Sequence, residues 1–156
     1  MESLWSNKVY DWNTDKPAWL GKMINLFVRT KPRPQQRHRN KGRFHYDPSA
    51  KEKKDFLYQV SDRIPKKASI SIIDMHFTFC YSRPQNHYRT IKKQRVLKDN
   101  IPYYKRSTPD IDNLCKFYMD CLGGHFYVND SQIASINAVK VYGEEDFVHI
   151  KIFYTK

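Results

Sequence analysis

The chain is expected to fold as one α+β domain, element order β-α-β-α-β-β, with a mixed sheet and its helices on one face. Three observations lead there. A length of 156 residues is within what a single hydrophobic core serves and too short for two ordinary domains and a linker. Apolar residues at 40% and aromatic residues at 15% are enough to fill such a core. Strand-like and helix-like apolar periods follow one another in an order that is neither a strict alternation of parallel units nor all-β.

Residues 1–22 read as an N-terminal arm. Trp5, Trp12 and Trp19 stand seven apart, but one aromatic per heptad is too little apolar surface for a coiled coil. An irregular arm on the body, or an aromatic contact surface, is the expectation. The run from Met23 to Thr30 is apolar and β-prone, and Pro32 and Pro34, which lack an amide donor, close this first strand. Gln35 to Tyr46 is polar and basic, a loop or a ribbon. After Asp47-Pro48, the residues Phe56, Leu57, Val60 and Ile64 recur at helical spacing, so a half-buried helix is expected from Ser49 to Ile64. From Ser69 to Tyr81, the residues Ile73, Met75, Phe77, Phe79 and Tyr81 share one face of a central strand, opposite Ile70, Ile72, Asp74, His76 and Thr78. Pro84 to Thr108 is polar and aperiodic, long enough to be functional or mobile. Leu114, Phe117, Tyr118, Cys121 and Leu122 form one apolar stripe, which predicts a helix from Asn113 to Leu122 with Asp112 as N-cap and Gly123-Gly124 as its stop. Past a turn at Asn129, the alternating runs Ile133 to Tyr142 and Phe147 to Tyr154 read as an antiparallel hairpin.

The formal net charge of +12 creates a field that attracts polyanions, with nucleic acid the leading partner. No apolar run approaches the roughly twenty residues of a membrane span, and the first ten residues lack the regions of a signal peptide. The protein is expected to stay inside a cell, in the cytoplasm. Cys80, Cys115 and Cys121 show no close pairing and read as reduced, buried thiols; the six histidines show no pair at ligand spacing.

One acidic segment interrupts the basic chain. Asp112, Lys116 and Asp120 are four apart and share a helix face opposite the apolar stripe, Asp110 lies just before the helix, and Asp130 follows the glycine turn, where the chain can bring it back toward the helix start. Phosphodiester hydrolysis near neutral pH needs a nucleophilic water and tolerance of extra charge on the phosphate, and Mg2+ held by carboxylates supplies both. Asp110, Asp112 and Asp130 are hard oxygen donors for such an ion, with Mn2+ as a possible substitute. Lys116, the only Lys or Arg between Asp110 and Asp130, is the candidate to neutralise the phosphate oxygens or to assist proton transfer. An Asp pair at a helix start is also what an ordinary cap and dipole partner looks like, and Asp120 reads as a solvated residue or a partner of Lys116.

The run Thr108-Pro109-Asp110-Ile111-Asp112-Asn113-Leu114-Cys115-Lys116, then Asp120 and Asn129-Asp130-Ser131-Gln132-Ile133, resembles the RusA family of Holliday junction resolvases. Lys31-Pro32-Arg33-Pro34, Arg43-Phe44-His45-Tyr46-Asp47-Pro48 and Phe79-Cys80-Tyr81-Ser82-Arg83-Pro84 fit the same family in the same order. The resemblance implies a RusA-like endonuclease domain over residues 23–156. It also implies a homodimer and a Mg2+-dependent endonuclease that nicks two opposed strands of a four-way junction. By position, it puts the family's essential aspartates on Asp110, Asp112 and Asp130 and its catalytic lysine on Lys116. Many members carry two aspartates where this chain has Asn129-Asp130, leaving Asn129 as a neutral ligand or a turn former.

Between Arg29 and Arg43 there are seven Lys or Arg and no acid, and between Arg83 and Arg106 eight opposed only by Asp99. Contacts to the phosphates of branched DNA are expected from Lys31, Arg33, Arg37, Arg39, Lys41 and Arg43 in the first stretch, and from Lys92, Lys93, Arg95, Lys105 and Arg106 in the second. Phe44, Tyr46, Tyr88, Tyr103 and Tyr104 interleave with them as stacking surfaces for unpaired bases. A binding-only nucleic-acid protein explains the charge equally well but not the clustered aspartates. A nuclease acting on flaps, single strands or RNA would use the same carboxylates.

Overall fold

The computed structural model describes residues 20–155, so the expected arm lies outside the described residues except for its last three positions. Those three begin β1 (Leu20–Val28), which ends where Thr30 N donates to Val28 O at 3.0 Å and the chain turns toward Pro32. The following polar stretch is a ribbon, β2 (Arg39–Lys41) against β3 (Phe44–Tyr46), turned by Gly42 at φ 64°. α1 (Ala50–Gln59) stops before the expected Ile64. Val60 N is shared between Phe56 O and Leu57 O, tightening the last turn, and Ile64 is extended, as a residue before proline prefers. β4 (Ile73–Ser82) starts later than Ser69 because Ser71 N bends back to the Ser69 hydroxyl at 3.0 Å.

The stretch expected to be aperiodic contains a second ribbon, β5 (Tyr88–Ile91) with β6 (Gln94–Leu97). Its turn carries Lys92 and Lys93 at φ 47° and 64°, a backbone that usually calls for Asn-Gly, so the ordinary hairpin signal is missing. α2 (Ile111–Leu122) buries Leu114, Phe117, Tyr118, Cys121 and Leu122, the whole predicted stripe. β7 (Ile133–Gly143) and β8 (Phe147–Thr155) complete the set.

The expected β7–β8 hairpin does not form. The sheet order is β1-β8-β4-β7, with β8 antiparallel to both β1 and β4 and β7 parallel to β4. Alternation identifies a strand but not its neighbour. β4 is buried at most of its positions and takes an inner place, whereas β7 is exposed or half-buried at all but one position and suits an edge. Residues 144–146 have only to step over one strand, a span of about 10 Å that three residues reach. Asp146 accepts from Ser82 N at 2.7 Å as they cross the end of β4.

The core is one cluster between the sheet and the two helices. Met75, Phe77, Phe79 and Tyr81 of β4, Ile150 and Ile152 of β8, and Leu26 of β1 face Phe117 and Tyr118 of α2 and Phe56 of α1. The Phe79 ring stacks on Phe77 at 5.5 Å and on Tyr118 at 5.6 Å. Cys80, Cys115 and Cys121 are free and buried, and burial pushes the Cys115 thiol up to about 11 and the Cys121 thiol to about 12, so both stay protonated at neutral pH.

A polar node ties α1 to the rest. Asp47 accepts from Ser49 N at 2.9 Å, Gln35 Nε2 at 3.0 Å and Lys53 Nζ at 2.7 Å. Burial pushes its carboxyl upward, but the Lys53 ammonium and the other donors outweigh this and hold it below 3.8. Stability from this group is therefore complete above 3.8 and is lost as pH falls through the lower folded value. Asp47→Asn should cost about 2 kcal/mol at neutral pH, a loss that fades toward about pH 2. Urea unfolding of both proteins at the two pH values checks this; an equal loss at both would show that the carboxylate charge is not the source.

Candidate active site

α2 positions the acidic residues. Asp110, not Asp112, is its N-cap, with extended backbone (φ −70°, ψ 142°) and no side-chain cap hydrogen bond. Its carbonyl accepts from Leu114 N at 3.2 Å, so the backbone begins the helix while the carboxylate stays out of it. Asp112 follows in the first turn. Both side chains are exposed, neither takes part in an ion pair among the described residues, and both line one open cavity with Tyr104, Lys105, Ala138 and Lys140. The capping reading asks the Asp110 oxygens to hold amide hydrogens, and they do not. The positive end of the helix also favours negative charge here, whether carboxylate or phosphate.

Lys116 lies one turn along from Asp112 and is exposed. Asp120 faces Lys53 at 3.8 Å, which replaces the expected pairing with Lys116. Asn129 is a turn former: its side chain accepts from Ser131 N at 2.9 Å, while Gln132 Oε1 accepts from Asn129 N at 2.8 Å, a reciprocal cap for the 3-10 turn Asp130–Gln132. Gln132 Nε2 fastens that turn by donating to Ser69 O and Ser71 O, each at 2.8 Å.

Asp130 does not return to the start of α2. Tyr127, three residues before Asp130, donates its hydroxyl to Met119 O at 2.6 Å, in the last turn of α2 and not the first. The turn runs straight into β7 at Ile133, whereas the cavity of Asp110 and Asp112 borders Ala138 and Lys140, about 17 Å further along the strand. Among the described residues no three His, Cys, Asp or Glu side chains form a group able to hold an ion. One chain thus unites Asp110 with Asp112 and leaves Asp130 apart.

The basic residues divide in two. Lys31, Arg33, Arg37, Arg39, Lys41 and Arg43 are exposed along the segment after β1 and its ribbon, and Arg33 N donates to the buried Tyr118 hydroxyl at 3.1 Å, fixing that segment to the core. Lys92 and Lys93 form the exposed tip of the β5–β6 ribbon, Arg95 lies 3.5 Å from the centre of the Tyr88 ring, and Arg106 is exposed. Lys105 differs. It is half-buried, with its ammonium donating to Thr108 O at 2.7 Å and to the Ser107 hydroxyl. Phe44, Tyr46, Tyr103 and Tyr104 are exposed, as stacking surfaces must be, and Tyr88 is half-buried under Arg95. Lys140 was not among the residues the sequence singled out. The available signal was its position in β7, a lone cation in register with Phe79 on the side that faces the core.

Residues 27–153 match the family described as Endodeoxyribonuclease RusA, and no curated protein gives a match. The class this defines is a DNA endonuclease. More closely, the chain belongs to the RusA family, whose members are Holliday junction resolving endonucleases. Among the described residues no helix is long and apolar enough to cross a membrane.

Proposed function

We propose that this protein resolves four-way DNA junctions by paired, Mg2+-dependent hydrolysis of opposed strands, acting as a homodimer. The observation that carries the reading is the pair of exposed aspartates at the start of α2, one of them in the cap position with its carboxylate unused. The donor set fits a hard divalent cation: carboxylate oxygens, with Mn2+ an acceptable substitute for Mg2+. Asp110 and Asp112 would hold the ion from one side. No group of three such side chains forms among the described residues of one chain, so the homodimer reading leaves the third carboxylate, Asp130, to a second copy.

When bound, the ion supplies an acidified water and offsets charge at the phosphate. Lys116, one helical turn from Asp112, would offer an ammonium to a scissile phosphate held there, and the amides at the start of α2 would add to it. The exposed cations around Lys31 to Arg43 and on the β5–β6 ribbon grip the backbones of the junction arms without reading sequence. Two such sites related by the dimer axis would meet two opposed strands, as a symmetric junction requires.

Purified protein with Mg2+ should introduce paired nicks into a synthetic four-way junction and spare linear duplex of the same sequence. An intact junction after prolonged incubation with Mg2+ or Mn2+, or equal cutting of flaps and single strands, would remove the reading.

A further inference from the structure

The three residues before Asp110 present a problem of hydrogen bonding. Ser107, Thr108 and Pro109 form no ladder with a neighbouring strand, so their carbonyls take donors from side chains or from water. Two lysines provide them. Lys140 Nζ donates to Ser107 O at 2.8 Å and to Pro109 O at 2.7 Å. Lys105 Nζ donates to Thr108 O at 2.7 Å and to the Ser107 hydroxyl at 2.5 Å. Each of the three carbonyls leading into Asp110 therefore has an ammonium donor.

The lysines are themselves fixed. Lys105 N donates to Lys140 O at 3.0 Å and Tyr142 N to Tyr103 O at 2.9 Å, so residues 103–105 lie along the outer edge of β7. Tyr104 completes this as an antiparallel bridge to Val141. Lys140 is in register with the buried Phe79 of β4, which ties its backbone to the centre of the sheet. Both side chains are half-buried, and both line the cavity that holds Asp110 and Asp112. An ammonium suits this task because it carries three donors on one atom and can serve two carbonyls at once.

We propose that Lys140 and Lys105 are a pair of positioning residues that hold the 107–109 backbone by its carbonyls and so fix where the Asp110 carboxylate stands for its ion. The inference rests on the reading of Asp110 as an ion-holding residue. It assigns to Lys105 a role other than direct phosphate contact and to Lys140 a role where the sequence suggested none. Their charge also offsets the repulsion of crowding Asp110 and Asp112 together.

The test compares wild type with Lys140→Met, which keeps the stem and removes the ammonium. In metal-free protein, amide hydrogen exchange at Lys105 and Leu114, whose amides donate to Lys140 O and Asp110 O at the two ends of the held segment, should quicken about tenfold while the core of β4 is unchanged. The Mg2+ concentration for half-maximal cutting of the junction should rise about tenfold, as for loss of a group that orients a metal ligand, with the rate recovering at saturating Mg2+. Junction affinity without metal should stay within about twofold, as expected for a group that makes no phosphate contact. If Lys140→Met does not fold, Lys105→Met carries the same readings. Unchanged exchange at Lys105 and Leu114 with an unchanged Mg2+ requirement would overturn the proposal, and so would a loss of junction affinity with the Mg2+ requirement intact. If wild type leaves the junction uncut, the resolvase reading fails, while the exchange comparison still decides whether the lysines hold the segment.

Discussion

Asp112→Asn should abolish junction cutting, by about 10³-fold or more, while leaving junction binding intact or tighter. The size follows from chemistry: a carboxylate that helps hold a cation at the reacting phosphate controls several kcal/mol of charge stabilisation, and each 1.4 kcal/mol is about tenfold in rate. The direction of the binding effect follows from electrostatics, because the substitution removes a negative charge from a surface that must approach phosphate. Asp112 is exposed and makes no ion pair among the described residues, so the amide should leave the fold undisturbed. Cutting rate and binding in a gel-shift assay, with thermal melting as the folding control, check all three statements. A folded mutant that no longer binds would contradict the division of labour between carboxylates and cations.

Raising salt from about 50 to 200 mM should weaken junction binding by about 10³-fold or more. Six to ten phosphate contacts release that many counterions, and the affinity then falls as a steep power of salt concentration. The exposed cations Lys31, Arg33, Arg37, Arg39, Lys41, Arg43, Lys92, Lys93 and Arg106 are numerous enough to supply those contacts. A slope of log affinity against log salt steeper than about −5 is expected. A slope near −1 would mean that stacking on exposed aromatics such as Tyr103 and Tyr104, not phosphate contact, supplies the affinity.

The parts of the fold legible in the sequence are those decided by burial. The stripe Leu114, Phe117, Tyr118, Cys121 and Leu122 gave α2 its inner face, and the alternation from Ile73 to Tyr81 gave β4 its buried one. Partner choice was not legible. Ile133 to Tyr142 and Phe147 to Tyr154 alternate in the same way whether they pair with each other or flank β4, because period two reports a face and not a neighbour. The β5–β6 ribbon escaped notice because nearly all of its residues are exposed, leaving no apolar period, and because lysines occupy its tight turn.

The candidate site divides in the same manner. Spacing alone placed Asp112, Lys116 and Asp120 on one face of a helix. It did not place Asp110 in the cap position, since Asp112 has the same capping chemistry and only backbone angles separate the two. Nor did it show that Asp130 stays beside the end of α2. That depends on β7 running back past the helix, a consequence of the β4–β7 pairing. Lys140 reads as an ordinary strand residue until the carbonyls of Ser107 and Pro109 are seen against its ammonium.

The account turns on whether these carboxylates gather a cation in the assembled protein. Mn2+ added in substoichiometric amounts broadens the amide resonances nearest to where it binds. The amides of Asp110 and Asp112 should broaden together with those of the Asp130 turn, and Asp112→Asn should remove the effect at all three. Broadening spread evenly over exposed acids such as Asp62, Asp99 and Glu144, or confined to them, would contradict the cation site and the hydrolytic role built on it.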